Sequence, residues 1–132
     1  MGTSYMACEI SSHLDQSKVA RIDKVLVDTG SEYIWVAEDV LRRFGIAAEK
    51  KDLAFQMASG QTITRRVGFA VIRAAGVHTT DEVVFAQPGD LQPLGARTLE
   101  GLNLRVDSRK EAGRGRVASR GARDGPRSEP IA

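Results

Sequence analysis

Short apolar runs, broken by Gly, Pro and Asp, fill the first 107 residues of the chain. Met6, Cys8 and Ile10 alternate with more polar neighbours as a strand does, and the apolar end of residues 19–27 predicts a strand buried on both faces. Further strands are predicted at residues 33–36, 63–67, 69–72, 82–85 and 102–106. The pattern predicts a small closed or sandwich-like all-β domain.

Two short helices interrupt this pattern. Val40, Leu41 and Phe44 recur at helical spacing, and Gly45 follows in the place of a C-terminal cap, which predicts a helix over residues 37–44. A second helical stretch is expected between Leu94-Gly95 and Leu99.

A β-hairpin is predicted around the segment Ala58-Ser59-Gly60-Gln61. Phe55 and Met57 lead into it, and residues 63–67 lead away with a period of two, so the tip should lie at Ser59 and Gly60. Turns are also expected near Ala75-Gly76 and Pro88-Gly89.

The composition changes near Asp107. Residues 108–132 are rich in Gly, Ser, Pro and Arg and offer little to bury, so they are expected to form a tail without a fixed fold. Seven basic and three acidic residues give the tail a charge of +4, against +2 for the whole chain, so residues 1–107 carry −2. A solvated extension is the simpler interpretation, and weak RNA or anion contact by the tail is the alternative.

Length and composition restrict the class of protein. At 132 residues, the chain fits one domain, and 42% hydrophobic with 27% charged residues is typical of a globular protein. No apolar run approaches the roughly 18 to 20 residues of a membrane helix, and the first ten residues lack a secretory pattern. We therefore expect a cytoplasmic protein that does not contact membranes.

The cysteine and histidine residues of the sequence give little support for a metal site or a disulfide. Cys8 is the only cysteine, which excludes an internal disulfide and is better explained as a buried apolar residue. His13 and His78 are far apart and have no carboxylate pattern around them. We expect neither a metal nor another cofactor.

The best candidate for chemistry is Asp28, which follows the apolar strand residues Val25-Leu26-Val27 and begins Asp-Thr-Gly-Ser. The tripeptide alone can be an ordinary Asx turn. A carboxylate at the end of a rigid, buried strand is, however, held in place and partly desolvated, as acid-base work on a bound water requires.

On these residues the chain resembles the retropepsin-like aspartic proteases, including single-domain bacterial members, over about residues 5–107. The resemblance implies an acid-protease β-barrel with Asp28 as the catalytic aspartate. It implies that Thr29 joins the two active-site loops across a dimer axis and that Gly30 lets the backbone turn close to the substrate.

Two later segments extend the resemblance. The segment Ala58-Ser59-Gly60-Gln61 is similar to the family's flap, and Leu94-Gly95 resembles the hydrophobic-Gly segment beneath the active site. Pro93 departs from the usual Ile, Leu or Val, and the flap tip has a single Gly. These departures keep open an inactive peptide-binding or dimerisation module with the same fold.

The single Asp-Thr-Gly has a mechanistic consequence. In this chemistry one carboxylate takes a proton from water while a second, protonated one polarises the scissile carbonyl. Asp23, Asp90 and Asp107 lack the Thr-Gly sequel, so the second carboxylate is expected from Asp28 of an identical subunit. We therefore expect an aspartic endopeptidase that acts on peptides or proteins as a homodimer.

Two further residues near Asp28 in sequence are assigned roles as hypotheses. The Ser31 hydroxyl could donate a hydrogen bond to the Asp28 carboxylate, which would favour its ionised form and shift activity toward acid. Trp35, the only tryptophan, is expected in the core or at an interface, with a substrate pocket as the alternative. A nucleic-acid-binding body is not expected, because residues 1–107 are slightly acidic.

Overall fold

A computed structural model describes residues 4–111 and 114–119. Its strands are β1 (Ser4–Ser12), β2 (Ala20–Val27), β3 (Ile34–Ala37), β4 (Lys50–Gln56), β5 (Thr62–Ala74), β6 (Val77–Ala86), β7 (Pro93–Leu94), β8 (Leu104–Glu111) and β9 (Arg114–Ser119). Helices α1 (Glu38–Arg43) and α2 (Ala96–Gly101) are short. The predicted all-β class with two short helices is confirmed.

Seven strands form one sheet that curls into a nearly closed barrel. Its order is β3-β6-β5-β1-β2-β7, and β7 lies against β3, which brings the two ends of the sheet together. Strand β4 pairs only with the first half of β5, and these two strands form the predicted hairpin. Closing the sheet in this way leaves the hairpin projecting from the barrel.

Two apolar clusters fill the interior. The larger cluster includes the fully buried side chains of Ile10, Ile34, Leu41, Ile72, Val83, Phe85, Leu94 and Leu99. The smaller cluster contains Trp35, Val67, Val84 and Ala86, with Leu53 and Phe55 of the hairpin packed against it. The second cluster therefore connects the hairpin to the barrel.

Several elements differ from their predicted bounds. Residues 63–72 form one continuous strand, β5, because Gly68 is buried within the strand and does not interrupt it. At the apolar end of strand β2, Val25 and Val27 are buried and Leu26 between them is half-buried, so the face that Leu26 occupies is only partly covered. The helix expected from Leu94 begins only at Ala96, because Pro93 and Leu94 pair with β2 as strand β7.

The C-terminal hairpin extends beyond the boundary predicted at Asp107. Strand β8 continues to Glu111 and pairs in antiparallel fashion with β9. Backbone pairing needs no apolar side chains, which is why composition alone does not reveal it. Strands β8 and β9 thus extend past the predicted boundary. Residues 112–113 and 120–132 lie outside the described residues, and the lack of a fixed fold in the tail stays a prediction.

Neither helix in the described part of the chain has the length and apolar character needed to cross a membrane.

Candidate active site

Asp28 lies immediately after β2 and is half-buried. The Gly30 amide donates a hydrogen bond to Asp28 Oδ1 at 2.9 Å, and the Ser31 amide donates to the Asp28 carbonyl oxygen at 3.0 Å. The loop is thus an Asx-type turn, as the simpler interpretation predicted. This turn also fixes the direction of the carboxylate, so it is compatible with a catalytic role.

Backbone hydrogen bonds tie this loop to the Leu94-Gly95 segment. The Asp28 amide donates to the Leu94 carbonyl at 3.0 Å, and the Ala96 amide donates to the Ser31 carbonyl at 2.7 Å. The Arg97 amide donates to the Glu32 carbonyl at 3.0 Å. The structure therefore brings together two segments that lie more than sixty residues apart in sequence.

The two segments lie so close together that only glycine fits at position 95. A Cβ atom at Gly95 would lie 2.5 Å from the Tyr33 carbonyl oxygen and 2.6 Å from the Ser31 carbonyl oxygen. Both neighbours are backbone atoms, which cannot rotate away as a side chain can. The segment thus forms a tightly packed floor under Asp28.

Pro93, which replaces the Ile, Leu or Val that is usual in the family, fits this floor. It is buried, lies opposite Leu26 in the parallel β2–β7 pair and contributes to the wall of the cleft. Proline is tolerated at the first residue of a short strand, where its missing N–H breaks no ladder.

The hypothesis about Ser31 is wrong. Its hydroxyl donates to the Tyr33 carbonyl oxygen at 3.0 Å and not to the Asp28 carboxylate. The serine bends the chain between the turn and β3 by a local side-chain-to-backbone bond. Thr29, at the outer edge of the same loop, is exposed.

Asp28 opens into a cleft of about 680 Å³. The floor and one wall come from the Asp28 loop (residues 28–32) and the start of β3, the roof comes from β4, and the far wall comes from the loop before β7. Its lining includes Asp28, Gly30, Ser31, Glu32, Tyr33, Trp35, Leu53, Phe55, Met57, Ala58, Asp90, Leu91 and Pro93. Such a largely apolar cleft with few polar groups is typical of ligand sites.

The flap, defined here as residues 50–67, covers this cleft. Its turn is closed by the Met57 amide donating to the Gln61 carbonyl and the Gly60 amide donating to the Met57 carbonyl, both at 2.8 Å. Gly60 has a φ of 90°, a value that glycine adopts without strain. Of the predicted flap residues, Ala58 lines the cleft, whereas Ser59, Gly60 and Gln61 form its exposed tip.

Aromatic side chains join the flap to the wall. Phe55 of β4 lies edge-on to Tyr33, with ring centroids 5.6 Å apart, and contacts Trp35 at 5.1 Å. Trp35 belongs to the smaller apolar cluster, as expected of a core aromatic residue, and it also lines the cleft. Such ring pairs stabilise the contact beyond the area that they bury.

Two consecutive arginines fix the base of the flap. Arg65 donates two hydrogen bonds of 2.7 Å to Asp90, and Arg66 pairs with Glu38 of α1. The hydrogen bonds from Arg65 hold the pKa of Asp90 below its ordinary value. Because neighbouring residues of a strand point to opposite faces, β5 is anchored on both sides where it leaves the barrel.

Glu38 receives several hydrogen bonds at this anchor. Gln87 donates to its Oε1 at 2.6 Å, and Arg42 and Arg66 donate to its Oε2. These bonds, that from Gln87 first, outweigh the effect of burial and lower the pKa of Glu38 to about 2.

Within the described residues, no group of three or more His, Cys, Asp or Glu side chains is arranged to hold a metal ion. Cys8 is buried in the larger cluster, and burial raises the pKa of its thiol to about 11, so it is not a reactive thiolate.

Sequence reasoning missed most of the cleft wall. Glu32, Tyr33, Leu53 and Leu91 line it, although none was singled out. The period-two series of Leu53, Phe55 and Met57 was a signal, because residues on one face of a flap strand contact the same space. Asp90 and Leu91 come from a loop whose position only the folded chain shows.

Comparison with protein-family models places residues 16–102 in an aspartyl protease family of the retropepsin-like clan. The chain belongs to this aspartyl protease family. The match includes Asp28, the flap and the Leu94-Gly95 segment, so the predicted resemblance is confirmed at the level of the family. A search among curated proteins found none that matches the chain.

Proposed function

We propose that this aspartyl protease family member is an active endopeptidase that works as a homodimer. The observation that carries the proposal is Asp28, held by a backbone-clamped turn at the floor of a cleft that a flap covers. The family supports a peptidase, and the geometry supports Asp28 as the group that acts on water.

The proposal of a dimer follows from the number of carboxylates that one chain contributes to its cleft. The other acidic residues in the cleft lining are Glu32 and Asp90, and Asp90 is bound by two hydrogen bonds from Arg65. A second Asp28, from an identical subunit across a two-fold axis, would complete the pair. The exposed Thr29 beside it is available to hydrogen-bond across that axis, and Gly30 leaves room for the substrate backbone.

The pair would hydrolyse a peptide bond without a covalent intermediate. The ionised Asp28 takes a proton from a water molecule, whose oxygen attacks the scissile carbonyl carbon, while the protonated Asp28 of the other subunit donates to the carbonyl oxygen. Breakdown of the tetrahedral intermediate returns a proton to the leaving nitrogen. Two carboxylates this close share one proton because both cannot ionise easily.

The substrate would be an extended peptide. Among the described residues, strand β4 pairs only with β5, which leaves its other edge unpaired, and its residues 53–56 line the cleft. Main-chain hydrogen bonds to this edge would hold the peptide, and the apolar lining would sort its side chains.

Cleavage of a peptide library by the purified chain, with and without pepstatin, tests the proposal. We expect pepstatin-sensitive cleavage that falls by at least about 1000-fold in Asp28→Asn, because the amide cannot take the proton from water. Equal cleavage by wild type and variant would refute the assignment of Asp28. Peptide binding without cleavage would favour the alternative, a binding or dimerisation module.

A further inference from the structure

The charges that line the cleft are all negative. Asp28, Glu32 and Asp90 contribute carboxylates to the lining, which contains no lysine or arginine. Asp28 is the reacting group, and Asp90 is neutralised by the paired hydrogen bonds from Arg65. Glu32 is the remaining carboxylate of this wall.

Glu32 shares its cationic partner with two more deeply placed carboxylates. Arg97 lies 3.6 Å from Glu32, 3.8 Å from Asp81 and 3.5 Å from Glu82, measured between charged atoms. Lys50 also pairs with Glu82. Three carboxylates therefore face two cations, and the cluster carries one excess negative charge.

The excess charge falls on Glu32. The side chains of Asp81 and Glu82 are 10% and 9% exposed, whereas that of Glu32 is 64% exposed. Because a buried carboxylate depends more on its partner than a solvated one, Arg97 and Lys50 compensate mainly the inner pair. Glu32 is left as a weakly paired anion at the mouth of the cleft.

Aromatic side chains adjoin this anion. Tyr33 and Trp35 follow Glu32 in the chain, and Phe55 packs against both rings. The guanidinium of Arg97 already lies 5.1 Å from the centre of the Tyr33 ring. An apolar wall next to a carboxylate suits a lysine or arginine side chain, which has an apolar stem and a cationic end.

We propose that Glu32 is a specificity-determining residue that selects a lysine or arginine side chain near the scissile bond of the substrate. This inference rests on the proposed function, since it describes the same cleft. It defines the substrate class as peptides with a basic residue close to an apolar one.

Paired peptides that differ only by Lys or Glu at one flanking position test the inference. Wild type should cleave the Lys peptide with a kcat/KM about fivefold above that for the Glu peptide at one or more positions. Glu32→Gln should remove this preference, and Glu32→Lys should reverse it. Glu100→Gln, which removes the same charge from the exposed face of α2, should leave the preference unchanged.

High salt provides a second check on the same peptides. At 1 M NaCl the preference should fall toward unity, because an exposed ion pair is screened at short range. If Glu32→Gln leaves the preference intact, or if Glu100→Gln removes it equally, the assignment of Glu32 is overturned.

Binding to Asp28→Asn separates this inference from the proposed function. Trp35 is the only tryptophan and lines the cleft, so its fluorescence should report peptide binding without turnover. Tighter binding of the Lys peptide by Asp28→Asn, but not by Asp28→Asn with Glu32→Gln, supports the inference even if wild type cleaves nothing. Cleavage by wild type without a charge preference refutes the inference and leaves the proposed function standing.

Sedimentation of Glu32→Gln completes the test. If Glu32 faces a cation of a second subunit, the variant will dimerise more weakly and show no change in preference, which would overturn the inference. Unchanged sedimentation together with a lost preference is the expected result.

Discussion

The floor of the cleft and the flap above it are held in different ways. Backbone hydrogen bonds from Asp28, Ala96 and Arg97 join the two segments of the floor, and Gly95 leaves no space between them. Within the part of the chain that the structure describes, the flap tip makes only the hydrogen bonds of its own turn, and no atom lies within 4 Å of a Cβ atom built at Gly60. Apart from the backbone pairing of Val67 at its base, the flap is therefore attached through side chains at its base and along β4.

The floor therefore serves to position the Asp28 carboxylate, and the flap serves to admit a peptide to the cleft. A carboxylate that works with a water molecule must keep its place, and main-chain bonds in a packed floor provide that. A cover that admits a peptide has to open, and segments with few buried contacts open at low free-energy cost. The comparison predicts that substitutions in the floor affect stability most and that substitutions at the flap base come second.

The largest effect is expected at Gly95. Gly95→Ala would place a Cβ atom against two backbone carbonyl oxygens, so we expect a loss of about 3 kcal/mol in the free energy of unfolding. Gly60→Ala is the matched control in the flap, where only the positive φ opposes alanine, at about 1 kcal/mol. Urea unfolding at one protein concentration measures both. Equal losses would remove the distinction between floor and flap.

An intermediate effect is expected at the base of the flap. The side chains of Arg65 and Asp90 are 18% and 11% exposed, so Arg65→Met leaves a poorly solvated carboxylate without its partner, at about 2 kcal/mol. The exposed Arg43, 4.0 Å from Asp39, provides the control, and Arg43→Met should change the free energy of unfolding little. If both variants unfold alike, the Arg65–Asp90 pair does not anchor the flap.

The smallest effect is a pH dependence at Glu38. Its pKa falls from 4.5 to about 2 on folding, so its stabilising effect is complete above pH 4.5 and disappears as the pH falls through 2. Glu38→Gln should therefore be less stable than wild type at pH 5, and the difference should shrink toward pH 2. A difference that stays constant with pH would contradict the role of Glu38.

Local patterns in the sequence predicted the elements that local interactions determine. The alternation around Ile10, the helical spacing of Leu41 and the turn at Gly60 each depend on near neighbours, and the structure contains a strand, a helix and a turn at these places. Asp28 was identified from the apolar strand that precedes it, whereas the Leu94-Gly95 segment was identified through the family resemblance, because the backbone hydrogen bonds that join it to the Asp28 loop are long-range.

The rest of the site depends on the folded geometry. Nothing near Asp90 in sequence indicates that it binds Arg65, and Arg97 contacts three carboxylates from two other segments. The error about Ser31 has a similar origin, since its hydroxyl donates to the carbonyl oxygen of Tyr33 and only the folded chain shows this partner. The β8–β9 hairpin was missed because pairing of its backbone requires no apolar pattern.

We propose that one active site uses Asp28 from two subunits, and subunit mixing tests this proposal most directly. Wild type is mixed with an equal amount of Asp28→Asn, the dimers are allowed to exchange, and cleavage is measured per wild-type subunit. Random pairing leaves half of the wild-type subunits beside an inactive partner, so activity per wild-type subunit should fall to about one half. Unchanged activity per wild-type subunit after complete exchange would show that a single Asp28 suffices and would contradict the account.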